Sequence, residues 1–530
     1  MKVLNGGKMR SLKHKNFSKK KVISLLAIVA TAIMIVGVMV GVLLNRVAQA
    51  DTNDAVLPSR FGRMFRNQPS FAPPTDVIRA ALLEMGKAGG ILDAKDNLAA
   101  GPLALIVDPA LNVNNPNNPN HTAGTTFFGQ FMDHDITFDL SSRLGRVTPP
   151  VSAPNGRTPA FDLDTVYGDG PFASPTFYDP TDQIKLRLEN GGLFEDLPRD
   201  ANNRALVVDP RNDQHLILTG ILSAFHLFHN RAVDLVRSQS PSINNVNAFN
   251  EARRLTTWHY QWLILHEFLP QIIGQDRVNE ILRNGRRFYT PLPGRGFIPV
   301  EFQVGYRFGH SMVRPSYRAN LAGDNGQPFF AFIFDPSQDG KADPSDLRGF
   351  ARAPRRFIGW QTFFDFNDTQ IRRNKLIDTK ISSALFNLPL QAIVEGTPPT
   401  SLLQRNLLRH VTWQLPSGQT LARAIGVSVL SKNDLAELRS IYPTFDTSTP
   451  LWYYILKEAE LMERGLRLGP LGSRIIGEVI IGLLQVDPKS YLNVNPSWVP
   501  TLPTRTGRPE DFRMVDFLTF ARVDPASRGQ

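Results

Sequence analysis

Thr125-Thr126-Phe127-Phe128-Gly129-Gln130-Phe131-Met132-Asp133-His134-Asp135 is the stretch from which the rest of the chain can be read. Its apolar residues and its one polar edge predict a helix over 125–135. Gln130 and His134 stand four apart, so on a helix they share a face and point into one cavity, while Asp135 points elsewhere. Burying a polar pair among Phe127, Phe128, Phe131 and Met132 is costly unless the pair has a partner or a task. Similar periodicity predicts helices over 216–236, 249–273, 421–425, 432–441, 452–465 and 473–484. Another is predicted over 76–85, with Thr75 as its N-cap. Alternation of apolar and polar residues is scarce. Segments 112–120, 148–159 and 323–326, rich in Pro, Asn and Gly, read as loops. The expected fold is mainly α: a single large helical domain with long loops and little β-structure.

Composition agrees with that expectation. The 530 residues are 42% hydrophobic and 20% charged, which is ordinary for a globular protein. The net charge of +11 is local. Nine Lys or Arg and no Asp or Glu fall in the first 50 residues, which leaves +2 for residues 51–530. The body of the protein therefore carries no electrostatic signature of nucleic-acid binding. The chain has no cysteine. That excludes disulfides, zinc thiolate sites, iron–sulfur clusters and thiolate-ligated haem.

Residues 22–44 are almost wholly apolar and follow the basic flank Lys13–Lys21. Such a run can span a bilayer, and the flank predicts that the N-terminus stays in the cytoplasm. Ala48-Gln49-Ala50 offers small residues at the usual cleavage positions. Residues 1–50 are thus either a signal peptide cut after Ala50 or an uncleaved single-pass anchor. Both readings place the rest of the chain outside the cytoplasm, with a membrane as partner only through 22–44. Residues 51–74 read as a lead-in, and residues 75–530 as the catalytic domain.

Further motifs lie downstream. In Arg157-Thr158-Pro159-Ala160-Phe161-Asp162-Leu163-Asp164, alternate residues of an extended loop would turn the same way. That suits an oxygen-seeking cation such as calcium, with Asp135 completing the shell; a solvated acidic turn is the alternative. Asp209-Pro210-Arg211-Asn212-Asp213-Gln214 precedes a helix with His226 and His229, three apart and able in principle to chelate a metal. No His-Glu-x-x-His motif accompanies them. In Arg307-Phe308-Gly309-His310 the glycine would let a flat ligand approach the backbone. Asn406 and Arg409 lie in Gln404-Arg405-Asn406-Leu407-Leu408-Arg409.

In this order the motifs resemble the peroxidase–cyclooxygenase superfamily, the animal-type haem peroxidases, and the chain looks like a bacterial member. The resemblance covers roughly residues 75–525. It implies haem b and calcium as cofactors, and hydrogen peroxide with a small-molecule electron donor as partners. His134 is similar to the distal histidine, Gln130 to the distal glutamine and Arg211 to the distal arginine. Arg211 stands 18 residues before His229-Asn230, a spacing the family shares. His310 matches the proximal iron ligand, and Asn406 the asparagine that accepts a hydrogen bond from that ligand's second nitrogen. Arg307 and Arg409 match arginines near the haem propionates. Asp135, Thr158, the Ala160 carbonyl, Asp162 and Asp164 match the calcium ligands.

Two departures from the family pattern matter. Mammalian members attach haem by esters from an Asp just before the distal histidine and a Glu three residues after the distal arginine. Here Asp133 fills the first position and Gln214 the second, so at most one ester link is expected, through Asp133. Cyclooxygenases carry a tyrosine three residues before the proximal histidine. Here that residue is Arg307, with Tyr306 beside it. The resemblance therefore implies a peroxidase of small organic donors or halides. The alternatives are a haem-dependent fatty-acid oxygenase and a non-catalytic cell-surface adhesion protein on the same scaffold.

Overall fold

A computed structural model describes residues 59–190, 194–350 and 354–528. Residues 1–50, for which a signal peptide or anchor is expected, lie outside the described residues. Among the described residues no helix is long and apolar enough to cross a membrane.

Among the described residues twelve principal helices follow one another: α1 Asp76–Met85, α2 Ala123–Ile136, α3 Leu216–Gln239, α4 Asn245–Leu263, α5 Leu269–Ile273, α6 Gln275–Asn284, α7 Val300–Gly305, α8 Leu402–Thr412, α9 Gly418–Ile425, α10 Leu451–Glu463, α11 Pro470–Val486 and α12 Met514–Phe520. Single turns at Ala104–Val107, Asp164–Tyr167 and Tyr491–Val494 fill the gaps. The expected helical class with little β-structure is what the chain adopts.

Helix α11 explains the centre of the molecule. Fifteen of its 17 residues are buried, which suits a helix apolar on every side. Its one buried acid, Glu478, accepts backbone N–H bonds from Arg287, Phe288 and Tyr289 at 3.0, 2.7 and 3.0 Å. A carboxylate thereby ties the segment after α6 to the core. Helices α3 and α4 pack along each other, and α2 lies across α3. Helix α7 runs from α11 into a 3-10 segment, Tyr306–Met312, which packs against α2. Two chain segments distant in sequence thus meet on either side of one space.

The start of α1 matches the sequence expectation, with Thr75 Oγ1 accepting from Ile78 N at 3.4 Å. The helix expected over 249–273 is longer at its start and is interrupted by a π turn at Ile264–Phe268. Pro270 has no N–H to donate to the preceding turn, which favours a widened turn there. The helix expected over 432–441 is reduced to a 3-10 turn at Ala436–Ser440. Ser431 and Asp434 bond each other's backbone N–H, closing a local turn in its place.

A β-hairpin, Ser316–Asp324 with Gln327–Phe332, stands where only a loop was expected at 323–326. Asn325 and Gly326 both have positive φ, 53° and 84°, as a two-residue hairpin turn requires. Its first five residues are all buried, so no alternation advertised the strand. The lead-in is more apolar in place than it reads: Phe61, Met64, Phe65 and Phe71 are core residues. Buried Glu301 holds it by accepting from Met64 N and Phe65 N.

Candidate functional site

Helix α2 presents Gln130, Asp133 and His134 to a cavity of roughly 230 Å³. The same cavity is lined by Arg211, Gln214 and His215 from the start of α3, and by Arg307 and His310 from the 3-10 segment. Arg409 reaches it from α8. A smaller side cavity of about 80 Å³ shares Gln130, Asp133, Arg307 and His310 and is otherwise lined mainly by Phe268, Tyr306, Phe308 and Met312.

His134 is buried, with Nδ1 2.9 Å from Asn212 Oδ1. An amide oxygen only accepts, so the imidazole proton sits on Nδ1 and Nε2 keeps its lone pair. Asn212 is fixed in turn by donating to Thr165 Oγ1 at 2.9 Å. Burial, then the nearby Arg211 charge, lowers the His134 pKa to about 3. The ring is neutral and competent as a base.

Arg211 Cζ lies over the Phe138 ring, 4.4 Å from its centroid. Its Nη2 donates to the Thr137 carbonyl at 2.5 Å and to Asp209 at 2.7 Å. Asp209 also takes Arg157 Nε at 3.0 Å. Burial is the largest single influence and opposes the Asp209 charge, but Arg211, His134 and Arg157 together outweigh it and hold the carboxyl well below its ordinary range. The carboxylate fixes the arginine on the cavity wall.

Across the cavity, His310 Nδ1 is 2.8 Å from Asn406 Nδ2. Asn406 Oδ1 accepts from Arg307 Nη1 at 3.4 Å. The amide therefore turns its donor toward His310, the opposite sense to the acceptor role that the resemblance implies. Burial, then Arg307, lowers the His310 pKa to about 3. Burial and Arg409 lower Arg307 to about 10, and its buried Nε has no hydrogen-bond partner. Arg409 pairs with Asp139 at 2.6 Å and with Glu395 at 3.6 Å.

Asp135 faces away from this cavity and is fully buried. Its carboxylate and those of Asp162 and Asp164 bring ligand oxygens within 4.8 Å of one another. The loop is not extended as expected. Leu163 takes a left-handed conformation, φ 60°, and Asp164 begins a helical turn. That kink, and not alternation, gathers the two carboxylates. Leu163 N donates to Asp135 Oδ2 at 3.3 Å. Thr158 is exposed, and its backbone N–H donates to Asp164 Oδ2 at 2.7 Å. Ala160 is half-buried beside it.

The structure accounts for His226 and His229 without a metal. Their rings bond the Arg187 and Ile184 carbonyls at 3.0 and 2.9 Å, and His229 also meets Tyr167 Oη at 3.0 Å. Sequence reasoning missed Asn212 and His215. Both lie within five residues of Arg211, the only local sign that they belong to the site.

Fold and cavity thus define a helical domain that brings His134, His215 and His310 to one space together with Arg211, Arg307, Arg405 and Arg409. Residues 142–356, which include Arg211 and His310, match the animal haem peroxidase family. The chain is 24% identical over 356 residues to human eosinophil peroxidase, covering 60% of this chain and 46% of that protein. It spans less than half the length of each curated relative it matches. In fold it resembles peroxidase A from Dictyostelium discoideum, with a TM-score of 0.59 and 16% identity over 87% of this chain and 93% of that one. It also resembles the fatty acid alpha-dioxygenase of Arabidopsis thaliana, with a TM-score of 0.55 and 13% identity over 88% and 75%.

The residues present fit haem. No atom lies within 4 Å of where a Cβ on Gly309 would stand, so a flat group can approach the backbone beside His310. The unpartnered Nε of Arg307 suits a propionate. They also fit calcium: buried Asp135 Oδ1 and Asp164 Oδ1 have no hydrogen-bond partner. Burial raises all three carboxyl pKa values, that of Asp162 to about 7. A hard cation would relieve both the missing partners and the clustered charge.

Proposed function

We propose that the protein is a haem-dependent peroxidase that reduces hydrogen peroxide while oxidising small organic donors or halides. The carrying observation is the pair of neutral histidines, His134 and His310, lining one cavity with Arg211 and Gln130. His310 would hold haem b, with Arg307 and Arg409 near its propionates. Bound haem supplies the redox-active iron at which the O–O bond of peroxide is broken. His134 Nε2 accepts a proton from one peroxide oxygen and returns it to the departing one. Arg211, fixed by Asp209, stabilises negative charge on that departing oxygen. Reduction of peroxide to water consumes two electrons and two protons, and the donor provides the electrons. An iron ligand acting through Nε2 carries its proton on Nδ1 and needs an acceptor there; Asn406 Oδ1, now bonded to Arg307, is the candidate.

His134→Ala is expected to slow the reaction with peroxide by about 10²–10⁴-fold. Arg211→Ala is expected to cost about 10²–10³-fold. Rapid mixing of holoprotein with peroxide and a phenolic donor measures both. Wild-type holoprotein that oxidises no donor in the presence of peroxide would sink the proposal.

Asp133 borders the cavity at the first of the two positions from which relatives of the resembled family form esters, while Gln214 at the second offers only a carboxamide. Mass spectrometry of haem-bound peptides should therefore find no more than one link. Two links would contradict this reading. The fatty-acid oxygenase alternative is less well supported, because the apolar side cavity of about 80 Å³ is far below the ~300 Å³ typical of ligand pockets. Export from the cytoplasm, through residues 1–50, is part of the proposal. So is a calcium ion at Asp135, Asp162 and Asp164, with Thr158 and the Ala160 carbonyl.

A further inference from the structure

His215 is a buried second histidine of the cavity wall, outside the roles assigned above. It is also the N-cap of α3: its Nδ1 accepts from Leu218 N at 3.4 Å. A backbone N–H can only donate, so Nδ1 is the unprotonated nitrogen. Burial, then the neighbouring His134, lowers the His215 pKa to about 3, so the ring is neutral and its single proton is on Nε2. Nε2 is 3.0 Å from Gln130 Oε1, which must therefore be the acceptor. Phe127 and Phe334 meet the ring edge-on at 5.1 and 6.2 Å and fix its plane. The backbone of α3 thus dictates the tautomer of His215, and that tautomer dictates which way the Gln130 amide lies. With its oxygen turned to His215, Gln130 has its amino group as the edge left for the cavity.

We propose that His215 is a positioning residue that locks Gln130 with its N–H donor edge toward the reacting oxygens. The proposal rests on the peroxidase reading for its use in turnover, but not for the geometry. His134, with Nε2 unprotonated, supplies an acceptor to the cavity; Gln130 supplies the complementary donor. A bound diatomic group would then meet one of each.

His215→Asn separates the two jobs of the residue. Asn is a favoured N-cap, so α3 keeps its cap, but the shorter side chain cannot reach Gln130. The holoprotein variant is expected to melt within a degree or two of wild type. Its cyanide affinity and its rate with peroxide should each fall about tenfold, the worth of one well-made hydrogen bond. In a Gln130→Leu background the same substitution should change neither quantity further. Gln130→Glu leaves the cap untouched and still accepts from His215, but has no donor for the cavity, so it should behave like Gln130→Leu. Cyanide binding reads the placement of Gln130 without turnover. It therefore decides the inference even if the holoprotein proves inert to peroxide, which would count against the peroxidase reading alone. Wild-type behaviour of His215→Asn or Gln130→Glu overturns the inference, as does a loss that simply adds to that of Gln130→Leu.

Discussion

His310→Ala should yield folded protein that no longer holds haem and shows no Soret band. The histidine is the one imidazole on its side of the cavity, and its ring is neutral because burial lowers its pKa to about 3. A neutral imidazole is what metal ligation needs, since a protonated one has no lone pair to give. Losing an outer partner of a metal ligand typically costs about 10–100-fold in affinity. Losing the ligand itself should exceed that, so haem retention is expected to fall by more than about 10²-fold. The substitution removes atoms that face a cavity, so the fold should survive it. Asn406→Leu is the graded control: it should weaken haem retention within the 10–100-fold range and leave a band. Added imidazole should restore part of the spectrum in His310→Ala but not in wild type. A haem spectrum unchanged in His310→Ala would remove the basis for the whole site.

Much of this site was legible because its parts are local. Gln130 and His134 share a face through helical spacing alone, and the helix is present. Thr75, periodicity over 216–236 and the apolar run 473–484 were read for the same reason. What was not legible depends on long-range contacts. Asn212 matters only because the fold brings it 2.9 Å from His134, 78 residues earlier. His215 looks like a cap until Gln130 arrives 85 residues away. The strand that opens the hairpin is buried on both faces over its first five residues, which erases the period-two signal there. Asp162 and Asp164 do come together, but through the positive φ of Leu163 and not through alternation in an extended loop, and nothing local announces that φ.

Removal of calcium should weaken both the fold and the reaction with peroxide, and the loss should depend on pH in a defined direction. The three carboxyls of Asp135, Asp162 and Asp164 are crowded; burial raises the pKa of each first, and Asp164 next raises those of Asp135 and Asp162. In the unfolded chain they ionise in the ordinary carboxyl range. Without a cation, the folded protein is therefore penalised as pH rises through about 7, where Asp162 must lose its proton in place. With a cation bound, all three are ionised and neutralised. The advantage of calcium should accordingly be absent near pH 4 and full near pH 8, with proton release on binding. At a thousandfold excess over its dissociation constant the ion contributes about 4 kcal/mol. For a domain of this length that moves Tm by about 4 °C. The effect on chemistry should be larger. Asp135 adjoins His134 on the last turn of α2, and a shift of about 1 Å in a reacting group can cost about 10²-fold. Melting curves and peroxide rates in calcium and in chelator, from pH 5 to 8, measure both effects. Asp162→Asn should lose its sensitivity to added calcium and, having no charge to bury at that position, should melt at pH 8 no lower than wild type in chelator. Equal melting temperatures in calcium and chelator at pH 8, with no calcium in the purified protein, would leave the acidic cluster a proton-sharing structural triad and detach it from the catalytic helix.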